Sequence, residues 1–114
     1  MRGKTSKRDI PFWLERTRDE DPKVRRMAVH ALCPCETKVH ERAVWRRFIA
    51  MVDNPDPGVR GSVCHVLCDG SPAEYGPDVL ACLDKLRNDP DLKVRKQARR
   101  VLAAHRTSGR VNIL

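Results

Sequence analysis

Asp21-Pro22-Lys23-Val24-Arg25, Asp56-Pro57-Gly58-Val59-Arg60 and Asp91-Leu92-Lys93-Val94-Arg95 recur at a constant spacing of 35 residues, with no insertion between copies. A fixed period of this length marks an array, because a unit so small cannot bury its own apolar face and must stack on a neighbour. The register persists downstream. Four residues after each valine stand Ala28, Val63 and Ala98; seven after stand Ala31, Val66 and Val101; eight after stand Leu32, Leu67 and Leu102. Those offsets share one face of a helix that turns once in about 3.6 residues, so each copy predicts an amphipathic helix with a narrow core stripe. Asp followed by Pro supplies an N-cap and then a residue that loses nothing in the first turn, where its missing N–H has no partner anyway. Pro34, the Gly70-Ser71-Pro72 cluster and Gly109 mark the ends of the three copies.

A second segment precedes each capped helix in the same register: Ile10, Trp45 and Leu80 align, as do Trp13, Phe48 and Leu83. The expected pairs are 10–18 with 22–33, 40–53 with 57–69, and 78–88 with 91–105. Six helices and no strand pattern give an all-α chain. The motif D-P-x-V-R, with Ala and Leu four and eight residues after the valine, resembles the HEAT repeat, in particular the short bacterial HEAT-like (PBS-lyase-type) kind, over residues 9–106. The resemblance implies an α-α superhelix, a solenoid of three helix pairs, with units at about 9–35, 40–70 and 77–106 and basic tails at 1–8 and 107–114. It also implies that Asp21, Asp56, Asp91, Arg25, Arg60 and Arg95 link neighbouring units through loop hydrogen bonds, while Val24, Val59 and Val94 anchor the seam. Gly61 inside the second copy, and Val63 where Ala is usual, depart from the family pattern and predict slightly irregular packing there. Such repeats are scaffolds for unrelated tasks, so the motif speaks to fold more than to function.

No uncharged apolar stretch approaches the roughly 18 residues of a membrane span. The basic N-terminus is interrupted by Asp9 and Pro11 before an apolar leader segment develops, which argues against secretion. Five cysteines, an odd number with no C-x-x-C pair, read as reduced thiols of a cytoplasmic protein. The net charge of +8 is uneven: residues 1–18 contribute +4, residues 19–91 contribute −3, and residues 92–114 hold seven bases and no acid. That asymmetry favours an acidic partner at the C-terminal end.

On the second helix of each pair, the residues two, six and nine after the valine point away from the core stripe. In the family this side lines the concave surface. It would present Arg26, His30 and Cys33, then Gly61, His65 and Cys68, then Lys96, Arg100 and Ala103. With Arg95 and Arg99 these bases predict a binding surface for an acidic protein segment, since Lys and Arg stay solvated until an anion arrives. The principal reading is a non-enzymatic interaction module with a protein partner. The alternative is a nucleic-acid-associated protein contacting phosphates without reading sequence, although no aromatic side chain is predicted in the groove to stack on bases. HEAT-like DNA glycosylases of alkylated bases also come into comparison, but three units are too few to wrap a duplex and no catalytic carboxylate with stacking aromatics can be placed. A further alternative takes His30-x-x-Cys33 and His65-x-x-Cys68 as ligands of a Zn²⁺ ion, with Cys35 and Cys64 as substitutes, or as catalytic groups. Against catalysis, no segment offers a nucleophile elbow or a Gly-rich phosphate loop, so neither enzyme activity nor a cofactor is expected. Phe12 and Trp13, on the first unit with no earlier unit to cover them, predict a partner contact or a homodimer through the N-terminal helix pair. The alternating Arg110-Val111-Asn112-Ile113-Leu114 is expected to dock on the last pair.

Overall fold

In the computed structural model, which describes residues 7–33, 41–69 and 71–109, the repeated register becomes three helix pairs. The helices are α1 (Ile10–Arg16), α2 (Pro22–Ala31), α3 (Arg42–Ala50), α4 (Pro57–Leu67), α5 (Gly76–Leu86) and α6 (Leu92–Ser108). Short 3-10 turns precede α1 and α5 and follow α3. There is no strand among the described residues. Asp21, Asp56 and Asp91 hold extended backbone at the N-caps of α2, α4 and α6, and their carboxylates accept from the amides of Lys23, Val59 and Val94. Each cap satisfies an orphan donor of the first turn and is worth about 1 kcal/mol.

Packing sorts the helices into two layers. α2 lies against α4 and α4 against α6, while α1, α3 and α5 form the other layer, each against the second helix of its own pair. The core is the seam between the layers, and the expected stripe fills it: Ala28, Val63, Ala98, Val59, Val66, Val101, Leu32 and Leu67 are buried. Trp45 and Phe48 sit at its centre, edge to face with ring centroids 5.3 Å apart, and Trp45 stacks on Tyr75 at 6.1 Å. Val24 in the first unit and Leu102 in the third are only partly covered.

Several helix ends differ from the expected ones. α1 stops at Arg16 because the Thr17 hydroxyl turns back to the Leu14 carbonyl at 2.6 Å. α2 and α4 end at Ala31 and Leu67, two residues short of expectation, whereas α6 continues to Ser108 and takes in two residues assigned to the tail. Nothing breaks α6 before Gly109, whose φ of 73° is left-handed and lets its amide reach the His105 carbonyl. Gly61 leaves α4 unbroken, and a Cβ there would come no closer than 3.7 Å to Val94. Close packing matters instead at Gly58, where a Cβ would stand 2.9 Å from the Arg26 guanidinium of the preceding unit. The expected stops at Pro34 and Gly70, the thiol of Cys35, and the docking of residues 110–114 lie outside the described residues.

Candidate functional site

The loops between paired helices share one hydrogen-bond plan. The side chains of Asp19, Asn54 and Asp89 accept from the amides of Asp21, Asp56 and Asp91 at 2.8, 3.1 and 2.9 Å. Arg25, Arg60 and Arg95 each send Nη1 back to the carbonyl of that same acceptor residue, at 2.8, 2.8 and 2.9 Å. The motif aspartates therefore cap their own helices. The bond that crosses between units runs from Arg60 to Asp89, two residues before motif Asp91, with Nε to Oδ2 at 2.7 Å and Nη2 to Oδ1 at 2.9 Å. Burial alone would raise the Asp89 carboxyl, but hydrogen bonds from Arg60 and the Asp91 amide, with the charges of Arg60 and Arg95, hold it below the ordinary value. The bond to Asp89 correspondingly raises Arg60 against the opposing effect of burial. At the register that Asp89 holds relative to Arg60, Arg25 has Asn54 in place of a carboxylate, and its buried Nε finds no acceptor. The acceptor positions 19, 54 and 89 share the 35-residue spacing, but alternation of Asp and Asn obscures them in the sequence.

Arg47 makes a second cross-unit link, from Nε to the Thr17 hydroxyl at 2.9 Å. Burial first, and the charge of Arg18 second, lower its pKa. On the layer of second helices, His30 of the first unit meets Ser62 of the second at 3.2 Å.

That layer carries the predicted binding residues. A groove of about 420 Å³ is lined by His30, Gly61 and His65, with Gly58 beside them, and by Asp91, Lys93 and Gln97 from the third unit. Gly58 and Gly61 carry no side chain to fill it. Beyond it a shallower depression is lined by Lys93, Lys96, Gln97 and Arg100. Arg26 lies over Gly58 at the first-unit side. Lys96, Arg99 and Arg100 are exposed and Arg95 is partly buried. The basic set divides: Lys96 and Arg100 line the depression, while Arg99 bonds the Arg87 carbonyl at the end of α5 and Arg95 bonds the loop before α6. Lys93, Ser62 and Gln97 complete the walls and were not among the expected residues.

No acidic residue occurs anywhere in α2, α4 or α6. The acids stand in the loops and on the first helices, and a separate groove of about 510 Å³ between α3 and α5 is lined by Asp53, Asp78 and Asp84 with Lys85.

Cys33 and Cys68 were expected on the open face, and the structure corrects this. Both are buried, at 3% and 0% exposure, because each lies past the end of its helix, where chain direction no longer follows the helical wheel. The Cys33 thiol donates to Asp69 at 3.3 Å. Hydrogen bonding to Cys68, reinforced by burial, pushes the Cys64 thiol up. His30 and His65 stay on the outside, so the two His/Cys pairs do not converge, and among the described residues no three His, Cys, Asp or Glu side chains are grouped to hold a metal ion.

At the first unit, Phe12 is 49% exposed and Trp13 is packed against the core, edge to face with Phe12 at 5.0 Å. Arg16 covers the Phe12 ring at 3.5 Å. Met27, on α2, is 51% exposed. Among the described residues, no helix is long and apolar enough to cross a membrane.

A family model described as HEAT repeats matches residues 10–107. No curated protein and no solved structure matches the chain.

Proposed function

Because the chain belongs to the HEAT repeat family, whose members generally mediate protein–protein interaction and scaffolding, we propose that it is a non-enzymatic module that receives an acidic partner segment on the layer of second helices. One observation carries the reading: all three second helices lack acidic residues, and their grooves run from the His30–His65 channel, with Asp91 in its wall, into Lys93, Lys96 and Arg100. Asp69 stands 3.9 Å from His65, and Asp91 lies in the groove wall, so the potential for an incoming anion concentrates at Lys96 and Arg100, which steer encounter with it. Arg26, His30, His65, Arg95, Lys96, Arg99 and Arg100 are the proposed contacts. Phe12, 49% exposed, and Trp13 form a lesser contact for a partner or a second copy.

A pull-down compares wild type with the triple variant Lys96→Glu, Arg99→Glu, Arg100→Glu. Loss of a set of acidic proteins from the variant is expected, and added salt should weaken their capture by wild type. Identical partner lists from both would refute the face. A duplex that competes for the same face at low ionic strength would shift the reading to phosphate contact, and its affinity would fall by about 0.9 log units per contact for each log unit of salt.

A further inference from the structure

The loop ladder leaves the outer guanidinium edge unused at Arg25, where Nε is buried, and at Arg95. Arg60 uses one edge of its guanidinium for its own loop, at Asn54 O, and the other edge for the carboxylate of the next unit, at Asp89. Arg95 repeats the first half of that arrangement, with Nη1 on Asp89 O at 2.9 Å. Its Nε and Nη2 have no acceptor among the described residues.

We infer that this open edge of Arg95 is a receptor for a carboxylate of the acidic partner segment, held as Arg60 holds Asp89, with two parallel N–H···O bonds. The inference rests on the proposed function and specifies which group the basic face reads. A guanidinium fork matches a carboxylate edge to edge, which an ammonium on a flexible stem cannot do. The bond to Asp89 O fixes the fork before any ligand arrives, so less freedom is lost on binding.

The surroundings select an acidic segment over a second copy of the chain. In the first two units, the position five residues after the motif valine is Val29 and Cys64, both fully buried. In the third it is Arg99, exposed. A further copy stacked on this end would have to cover Arg99 where the internal seams carry apolar groups. An acidic segment meets Arg95, Lys96 and Arg99 without that cost. Asp19 on the first unit stands at the register of Asp89, so head-to-tail stacking is the competing occupant and enters the test.

The probe is a fluorescein-labelled oligo-aspartate peptide, titrated by anisotropy at low salt against the full chain. Arg95→Lys retains the charge and removes the fork. Arg25→Lys makes the same change at the other end of the stack, where Arg25 holds the equivalent carbonyl at 2.8 Å, and reports the effect of a perturbed loop alone. Wild type and Arg25→Lys should bind alike, and Arg95→Lys should bind roughly tenfold more weakly, the value of one charge-assisted pair. If Arg95→Lys binds within twofold of wild type while the triple Glu variant does not bind, the receptor is wrong and the basic face stands. Wild type that fails to bind the peptide overturns both readings. Equal weakening of Arg25→Lys and Arg95→Lys makes the effect structural and overturns the receptor. Binding of a DNA duplex with the same dependence on Arg95 would replace carboxylate by phosphate. Sedimentation showing concentration-dependent oligomers that Asp19→Asn dissolves would make a second copy the occupant instead.

Discussion

The bond between Arg60 and Asp89 is a two-pronged ion pair between stacked units, and replacing Asp89 by Asn measures it. The two partners' side chains are 13% and 5% exposed, and their contacts are 2.7 and 2.9 Å long. Asn is isosteric and can still accept from the Asp91 amide, but it offers a neutral oxygen and an NH2 group to a fork of two donors. One charge-assisted bond is lost and the other weakened, which costs about 2–3 kcal/mol. For a chain of this size, that loss lowers the thermal midpoint by roughly 8–13 °C. Urea titrations followed by far-ultraviolet circular dichroism give the free energy directly, and their pH dependence identifies its source. The Asp89 carboxyl is held below its ordinary value, so the folded state favours its charged form. That stabilisation is fully present above the unfolded value of about 3.9 and is lost as pH falls through the lower folded value. The gap between wild type and Asp89→Asn should therefore be complete at neutral pH and close progressively below about pH 4. A gap under about 0.5 kcal/mol at neutral pH, or one that survives acidification unchanged, refutes the assignment of the stability to this ion pair. The molecule supplies its own reverse experiment. The Arg25 Nε is buried and unsatisfied, and Asn54 holds the register relative to Arg25 that Asp89 holds relative to Arg60, so Asn54→Asp places a carboxylate there and should stabilise by about 1 kcal/mol.

Two further outcomes test the packing. Gly61→Ala should raise stability by about 0.5–1 kcal/mol, because the added methyl meets Val94 only at ordinary contact distance and Ala is the better helix former; a loss in urea titration would show that α4 and α6 approach more closely than described. In a Cys35→Ser background, Cys33, Cys64, Cys68 and Cys82 should react with a thiol reagent at alkaline pH only slowly until the chain is unfolded, since all four are buried and burial, helped by the Asp78 charge, pushes Cys82 up to about 11; rapid labelling of native protein would contradict that burial.

The architecture was legible because one spacing carried it. Val59, Val94, Ala98 and Leu67 are buried where the offsets from the motif place them, and Trp45 is core as its equivalence with Ile10 requires. The cross-unit ladder was not legible. Arg60 and Asp89 are 29 residues apart and meet only after two helices have folded back, and the Asx acceptors at 19, 54 and 89 alternate between two residue types. The misplacement of Cys33 and Cys68 has a different cause. A helical wheel turns each residue by about 100° only while the helix lasts, and Cys68 already has φ −101° and ψ 7° at the cap of α4. His30 and His65, one turn earlier and within their helices, face outward as the wheel requires.

The change from Val29 and Cys64 to Arg99 raises a question that charge alone does not answer. A polar face on the outermost described pair keeps a stack soluble and discourages further stacking there, and Arg95, Lys96, Arg99 and Arg100 supply one whether or not anything binds there. Solubility depends on the sign and number of charges and is indifferent to the shape of the group that carries them. A carboxylate receptor depends on the planar fork and on the bond that orients it, here from Arg95 to the Asp89 carbonyl. Arg95→Lys therefore separates the two roles: an end cap tolerates it and a receptor does not. The internal pair of Arg60 with Asp89 shows the bonded state that the open edge of Arg95 would reproduce.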